Sequence, residues 1–540
     1  MTDRSKYSPE WICKQQEVLR GERKTVEAVW RLIRTYFIPQ YGQFDYQYMN
    51  ENQVDWRRRE RWDDTAVRSA GLLAASLHGS LTSSVTHWFE YTFKSQPELA
   101  HQKGVREWLE STRNTIFSSL QDSNFNLEIT QGYNEMVTFG TTVIMEEPMI
   151  KNGVERGIDF KCVPLEEVDF EENFEDQIHT FFRKNMYTPV QMVDKFGKDG
   201  VPEEVLERFN DGVTLKEDVV FCAYHRDGWE TKDRFAKNVN PKDRAVGYKY
   251  VHLKTKEMLG EEGGYYEMPA FVGRWTRMVG SKWGYSPANS CLDTVLTTNA
   301  LVKLIMTALE KVVDPTLLAK ERSVINTIDL SPATINIVRD IEGVVPLESG
   351  TNFDPGELRL MRMQDSIERS FYVDQLQLKD SPAMTATEVQ VRYELMQRLL
   401  GPTVSRIQKD LLNPMLERAF GILFRQGLIE PPPTTKSKTL DINYIGPLAR
   451  VQRLDEVNAI ERFLSHVGSI MEMGFPQAQD VPDISAILRE TASVLGVPAR
   501  LLHDEEKSKK MARSREESQE QMQNMAMAEQ EAKINAETSR

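Results

Sequence analysis

The sequence predicts a mainly helical α+β protein, and three observations predict it. Apolar residues recur at three- and four-residue steps over long stretches toward both ends of the chain. Between residues 141 and 253, short runs rich in β-branched and aromatic residues alternate with glycine, proline and acidic turns, the pattern of an antiparallel sheet. An apolar content of 40% over 540 residues supports a sizeable core, and a chain of this length divides into about three or four structural units.

Each element has its local warrant. Trp11, Ile12, Val18, Leu19, Val26, Val29, Trp30, Ile33 and Phe37 predict a helix over 8–38 that Pro39 ends. In DWRRRERWDD, four arginines (57, 58, 59, 61) meet Asp55, Glu60, Asp63 and Asp64, so a salt-bridged helix start explains the cluster better than a nucleic-acid handle. A helix rich in alanine, serine and glycine follows over 64–81, then one over 104–122 and a longer one ending near Phe139. The β-rich runs are 141–145, 158–163, 179–185, 219–226 and 248–253, interrupted by a short helix over 189–196. The acidic groups Glu166–Glu167 and Asp169–Glu172 read as solvated turns.

Helical character returns at 290–313, where Leu292, Val295, Leu296, Leu301, Leu304, Ile305, Leu309 and Val312 face almost every direction. Such a helix is a core element or packs against neighbours on several sides. Between it and a helix over 356–378 lie two β-like fragments, SVINTIDL and TINIVRDIEGVVPL, too few to close a core of their own. Edge strands of that kind seek pairing, which suggests sharing between subunits. Thr385-Ala386-Thr387-Glu388 is a capping box, with the Thr385 hydroxyl and the Glu388 side chain placed to satisfy each other's amides. It starts a long helix reaching about Gln426, in which Pro402 and Pro414 predict kinks. PPPTTKSK (431–438) reads as a linker to a C-terminal helical region, and 505–540 as a frayed tail or an oligomeric helical bundle.

Composition excludes more than it proposes. With 67 basic and 81 acidic residues the net charge is −14, which argues against a broad basic face gripping nucleic acid but not against a passage for it. The four cysteines, Cys13, Cys162, Cys222 and Cys291, form no CxxC pair, so a reducing compartment is expected. The polar start MTDRSKYSPE does not read as a secretory signal. The most apolar stretch, 300–309, is broken by Lys303 and is short of the roughly 18–20 residues that span a bilayer, so a soluble chain made inside a cell is expected. No GxxxxGK[ST], GxGxxG or GxSxG occurs, and no two of the eight histidines stand at i, i+4. No catalytic residue, metal ligand or cofactor is expected.

Several stretches in this order resemble one family. GSKWGYSPANSCLDTVLTTNALVKLIM (280–306), SPAMTATEVQVRYELMQRLLGP (381–402), WDDTAVRSAGLLAASLHGSLTSSVTHWFEY (62–91), FGTTVIMEEP and CVPLEEVDF with TFFRKNMYTPVQMVDKFG are similar to portal proteins. These are the head-to-tail connectors of short-tailed, double-stranded DNA bacteriophages. The resemblance covers most of 60–430. It implies a wing (1–285), a stem helix (286–312), a clip (313–356), a second stem helix (357–378) and a channel loop (379–385). Beyond them it implies a kinked wing helix (386–428), a helical crown (429–504) and a tail (505–540).

The implied assembly is a ring of about twelve subunits at one capsid vertex, made in the host cytoplasm, with double-stranded DNA passing through it. Implied partners are terminase, which carries the packaging ATPase, the tail adaptor and tail-tube proteins, and the major capsid and scaffolding proteins, with no direct membrane contact. Lys379, Asp380, Ser381, Pro382, Ala383 and Met384 are the expected channel constriction, and Arg359, Arg362 and Arg369 the expected DNA-facing positions of the stem. Pairing of those arginines with Asp365, Glu368 or a neighbouring subunit is the competing reading. A different ring-forming virion adaptor or tail-tube protein, and a metal-dependent nuclease with scattered carboxylates, remain as alternatives.

Overall fold

A computed structural model describes residues 7–40, 61–93, 103–151, 154–226, 239–313, 317–319, 344–346, 354–376, 400–433, 441–444, 447–472 and 481–494, with isolated positions beyond. In chain order the helices are α1 (Pro9–Phe37), α2 (Thr65–Leu81), α3 (Lys103–Asp122), α4 (Phe125–Phe139), α5 (Pro189–Phe196), α6 (Glu203–Asn210) and α7 (Pro287–Val313). They continue with α8 (Asp354–Ser370), α9 (Val373–Leu376), α10 (Asn413–Arg425), α11 (Pro447–Glu472) and α12 (Ile484–Val494). The strands are β1 (Phe89–Thr92), β2 (Thr141–Lys151), β3 (Val154–Cys162), β4 (Val168–Glu172), β5 (Ile178–Tyr187), β6 (Glu217–His225) and β7 (Val246–His252). Then follow β8 (Glu257–Tyr265), β9 (Ala270–Arg274), β10 (Thr276–Arg277), β11 (Gly284–Tyr285), β12 (Leu317–Ala319), β13 (Val344–Pro346) and β14 (Asp441–Tyr444). The architecture is mixed helix and strand, as predicted.

The chain folds as two compact units, 1–82 with 123–421, and 83–122 with 422–540. In the first, the β-rich region makes two antiparallel sheets rather than one: β3-β2-β9, and the meander β4-β5-β6-β7-β8. Strand alternation lets the meander bury both faces. Val220, Cys222 and Tyr224 of β6 join Ile12 and Leu19 of α1 on one side. Val219 of β6 joins Met192 and Val205 of α5 and α6 on the other. α5 occupies the predicted 189–196, started by a full capping box between Thr188 and Gln191.

Three expectations need correction. The acidic groups near 166–172 are not solvated turns. Leu165–Glu167 form a 3-10 turn leading into β4, and Arg23 of α1 donates to the carbonyls of Leu165 (3.2 Å), Val168 (2.6 Å) and Glu166 (3.1 Å). Asp169 is buried against that guanidinium at 3.2 Å, and Glu167 pairs with Arg183 at 2.9 Å. Glu167, Asp169 and Glu172 are therefore paired with arginines from other elements. Next, the helix expected over 356–378 breaks after Ser370. Tyr372 takes a left-handed φ of 58°, while Phe371 turns into the core against Phe37. Finally, α4 has 15 residues and is shorter than the 20-residue α3 before it.

In the second unit β1 pairs antiparallel with β14, from Phe89↔Tyr444 to Thr92↔Asp441. The indole N–H of Trp108 donates to the Glu430 carbonyl at 2.8 Å. The segment 83–122 thus groups with the C-terminal helices and not with the rest of the N-terminal region.

Candidate subunit interface and channel hairpin

α7 and α8 pack together as a hairpin, and its root is built from the glycine-, serine- and proline-containing segment just before α7. Gly284 lies so near the chain at Gly140 that a Cβ on it would stand 1.9 Å from the Gly140 carbonyl oxygen. Gly140 itself caps α4 with φ 83°. Ser286 then starts α7: its amide donates to Asn289 Oδ1 (3.1 Å), and the Asn289 amide donates back to Ser286 Oγ (3.2 Å). Pro287 follows in the first helical turn, where its missing N–H costs nothing. Trp283 is buried edge-on between Trp30 and Phe170, both at 4.9 Å between centroids.

Two further polar side chains complete the root. Asn299 Oδ1 accepts the amides of Trp62 (2.8 Å) and Asp63 (3.1 Å), and its Nδ2 donates to the Val295 carbonyl (2.9 Å). Asp63 Oδ1 accepts from Gln364 Nε2 of α8 at 2.8 Å, while Thr65 donates to the same carboxylate through Oγ1 (3.0 Å) and its amide (3.2 Å). Both hairpin helices are thereby tied to the start of α2. Burial pushes the Cys291 thiol up to about 12, so this side chain packs as an apolar group.

The far half of the hairpin is different. Leu304 is 67% exposed and Val313 82%, and Met306, Leu309 and Val312 of α7 and Leu358 and Met361 of α8 are also exposed. Ile305 sits beside Gly356 of α8. At the tip β12 pairs with β13 within the chain, Leu317↔Pro346 through Ala319↔Val344. The last part of the second β-like fragment is therefore paired internally, and SVINTIDL and TINIVRDI lie outside the described residues. Pro287–Val313 is long and apolar enough, by length and composition, to cross a membrane, with a mean hydropathy of 1.3 over its most apolar 18 residues, contrary to the sequence expectation. Its first half is packed in protein. The 14 residues from Ala300 extend about 21 Å, short of a bilayer core of about 30 Å, and carry Lys303, Glu310 and Lys311.

Arg359, Arg362 and Arg369 are all exposed on α8 and fall within about 80° of one another around the helix. Among the described residues none of the three is ion-paired with Asp365 or Glu368. Lys379 through Met384, with Thr385 and Glu388, lie outside the described residues. Pro402 is exposed in the helical stretch 400–407, and the residues preceding Leu400 are outside the described ones. Before Pro414 the helix widens into a π segment, Gln408–Leu412, where the Asn413 amide reaches the Gln408 carbonyl. The extra residue accommodates the donor that proline lacks.

No local signal marks the polar joint beside this π segment. Arg274 at the end of β9 donates to the Lys282 carbonyl at 2.8 Å, bonds Glu172 of β4, and lies 4.0 Å from Asp410. Burial lowers the Arg274 pKa and raises that of Asp410, the latter opposed by the arginine itself. One guanidinium thus links a strand of each sheet, the segment leading into α7 and the π segment. Its residues are too far apart in sequence to be associated without the fold.

The chain is 26% identical over 503 residues to the probable portal protein of Bordetella phage BPP-1, covering 90% of this chain and 87% of that one. It is 22% identical over 552 residues to the portal protein of Salmonella phage epsilon15, covering 98% and 95%. A solved chain described as the neck of an empty GTA particle aligns with a TM-score of 0.36 at 11% identity, over 76% of this chain and 88% of that one. The family model for the bacteriophage head to tail connecting protein matches residues 12–502, and the chain belongs to that family.

Proposed function

We propose that this protein is the portal subunit, assembling into a ring at one capsid vertex through which double-stranded DNA is packaged and later ejected. The carrying observation is the hairpin α7–α8, rooted by a fully satisfied polar network and bare over an apolar outer half. An apolar surface of that kind on a single chain marks an interaction site, and cyclic repetition of one chain covers it at every position. In this reading the hairpin is the stem, the β12–β13 end belongs to the clip, the two sheets belong to the wing, and the C-terminal helices belong to the crown.

Charge supports passage rather than grip. Residues 285–385 contain nine basic and fourteen acidic side chains. A duplex presents about one charge per 1.7 Å, so a wall of net negative charge lets it slide. The arginine face of α8 supplies sparse guidance, and Lys379–Met384 form the constriction. Terminase and tail adaptor proteins dock on the two ends, the capsid and scaffolding proteins surround the ring, and no covalent chemistry is required of the subunit.

Negative-stain images and light scattering of the purified protein test this. A ring with a central hole and a mass many times 62.2 kDa is expected; a strictly monomeric protein at all concentrations overturns the proposal. A nuclease assay with magnesium separates the enzymatic alternative, with no cleavage expected. Packaging with Lys379→Ala and Met384→Gly tests the constriction, and normal filling and DNA retention in both removes that segment from the mechanism.

A further inference from the structure

One amine of the first unit is held by phenols instead of carboxylates. Lys195 stands in the last turn of α5, and its Nζ donates to the hydroxyls of Tyr250 on β7 at 3.0 Å and of Tyr187 on β5 at 3.4 Å. The same nitrogen lies 4.3 Å from the centre of the Tyr250 ring, 5.3 Å from that of Tyr187 and 5.6 Å from that of Phe196. Lys184, Lys249, Lys254 and Lys282 each meet a carboxylate. Lys195 has none within ion-pairing distance among the described residues. Packing fixes the arrangement. Met192 and Val193 anchor α5 in the core, and the Phe196 ring packs on Tyr250 at 5.1 Å between centroids. Gly260 of β8 leaves room for that ring, since a Cβ there would stand 3.1 Å from it.

The site combines access with desolvation. Lys195 is an exposed residue, so a reagent can reach it, yet the rings strip water from its ammonium. Burial lowers its pKa from the ordinary lysine value, opposed by Glu147 of β2 and assisted by Arg183 of β5 and Lys161 of β3. The neutral amine is the nucleophilic form. Burial also raises the hydroxyls of Tyr250 and Tyr187, so both keep their protons. Two O–H donors therefore stand beside the nitrogen. An oxygen on a carbon bonded to Nζ would fall within their reach, the arrangement that stabilises an acyl-transfer intermediate.

We infer that Lys195 is an acyl-accepting site. Its amine takes the acyl group of an activated donor, an acyl phosphate or a thioester, while the Tyr187 and Tyr250 hydroxyls donate to the carbonyl oxygen as it becomes negative. Nζ forms a bond to the carbonyl carbon, and the carbon–oxygen or carbon–sulfur bond to the leaving group breaks. Phosphate or thiolate departs with the electron pair, and the nitrogen gives its proton to water. No atom is oxidised or reduced. The product is a neutral amide whose oxygen accepts from the same two phenols, and the subunit loses one positive charge. The site is independent of the ring reading, which stands whether or not the amine reacts.

The test treats the full chain with limiting acetyl phosphate or, separately, acetyl-coenzyme A between about pH 6 and pH 10. Peptide mass spectrometry follows acetylation at each lysine. Lys198, exposed just beyond α5, is the internal reference. Lys195 is expected to react about tenfold faster than Lys198 at neutral pH and to reach its plateau at a lower pH. That preference with either reagent supports the site, and a preference with only one identifies the donor class. A Lys195 rate equal to or below that of Lys198 with both reagents overturns the inference. In the double variant Tyr187→Phe with Tyr250→Phe, the Lys195 rate is expected to fall about fivefold while that of Lys198 is unchanged. A Lys195 rate that does not fall overturns the part assigned to the hydroxyls.

Discussion

The two halves of the α7–α8 hairpin follow opposite rules. At the root, Trp283 is enclosed by aromatic rings, Asn299 and Asp63 spend their hydrogen-bonding capacity inside the chain, and Gly284 allows backbone to touch backbone. Beyond Ala300 the same helix remains apolar, yet Leu304, Leu309 and Val313 face outward. Sequence hydrophobicity hardly distinguishes the halves. What differs is the covering surface: the chain itself supplies it at the root, and in the proposed ring a neighbouring copy supplies it farther out. In that reading, subunit stability and assembly stability belong to successive turns of one helix.

The sharpest way to break this contrast is Leu304→Glu together with Leu309→Glu. Both side chains are exposed in the single chain, so folding changes by less than about 0.5 kcal/mol. Placing two carboxylates in an apolar interface removes assembly almost completely. Light scattering beside thermal unfolding reads both quantities. Rings of normal mass would show that the outer half is not an interface.

Changes at the root have the opposite signature. Gly284→Ala forces a Cβ to within 1.9 Å of the Gly140 oxygen unless the chains separate, and a loss of about 3 kcal/mol in subunit stability is expected. Asn299→Ala leaves the buried amides of Trp62 and Asp63 without their acceptor, a loss of about 2 kcal/mol. Denaturant unfolding of the unassembled subunit measures each. A midpoint unchanged in both would remove the polar root from the account.

Much of this fold was legible in the sequence where local signals suffice. The start of α5 follows from Thr188, Pro189 and Gln191 alone, and the period of α1 is carried by Ile12, Leu19, Trp30 and Ile33. The apolar character of α7 could also be read, although its periodicity starts at 290 and the helix begins at Pro287. What could not be read depends on partners distant in the chain. β4 resembled a turn because the residues neutralising its acids, Arg23 and Arg274, come from α1 and β9. The pairing of Phe89 with Tyr444 joins segments more than three hundred residues apart. Nothing local announces that 83–122 groups with the C-terminal helices, or that a π segment precedes Pro414.

A smaller effect concerns the joint between α1 and β4. Desolvation by burial and the adjacent Glu167 raise the Glu166 carboxyl from 4.5 to about 7, against the pull of Arg34 and Arg23 and with Glu27 adding to the rise. The folded chain therefore holds a proton that the unfolded chain releases. The stabilising contribution is full below about pH 4.5 and is lost as pH rises through about 7. Glu166→Gln should be nearly neutral at pH 5 and stabilising by about 1 kcal/mol at pH 8. Equal effects at both pH values would show that this carboxyl titrates normally.

The smallest effect on folding, and the most informative about passage, belongs to Arg359, Arg362 and Arg369. All three are exposed on one face of α8, so replacing them together with alanine changes subunit stability by less than about 0.5 kcal/mol. Leu358 and Met361 continue the same exposed surface on one side; in the proposed ring a neighbour would cover the leucine and leave the guanidinium groups toward the bore. Assembly should then survive the triple substitution. What should change is the response of DNA binding to salt. Each phosphate contact removed makes the dependence of log K on log salt shallower by about one. Short duplex DNA titrated against assembled rings over a range of salt gives that slope directly. A slope identical to that of the unaltered ring would mean the arginines face neighbouring subunits, and the guidance assigned to them would move elsewhere in the channel wall.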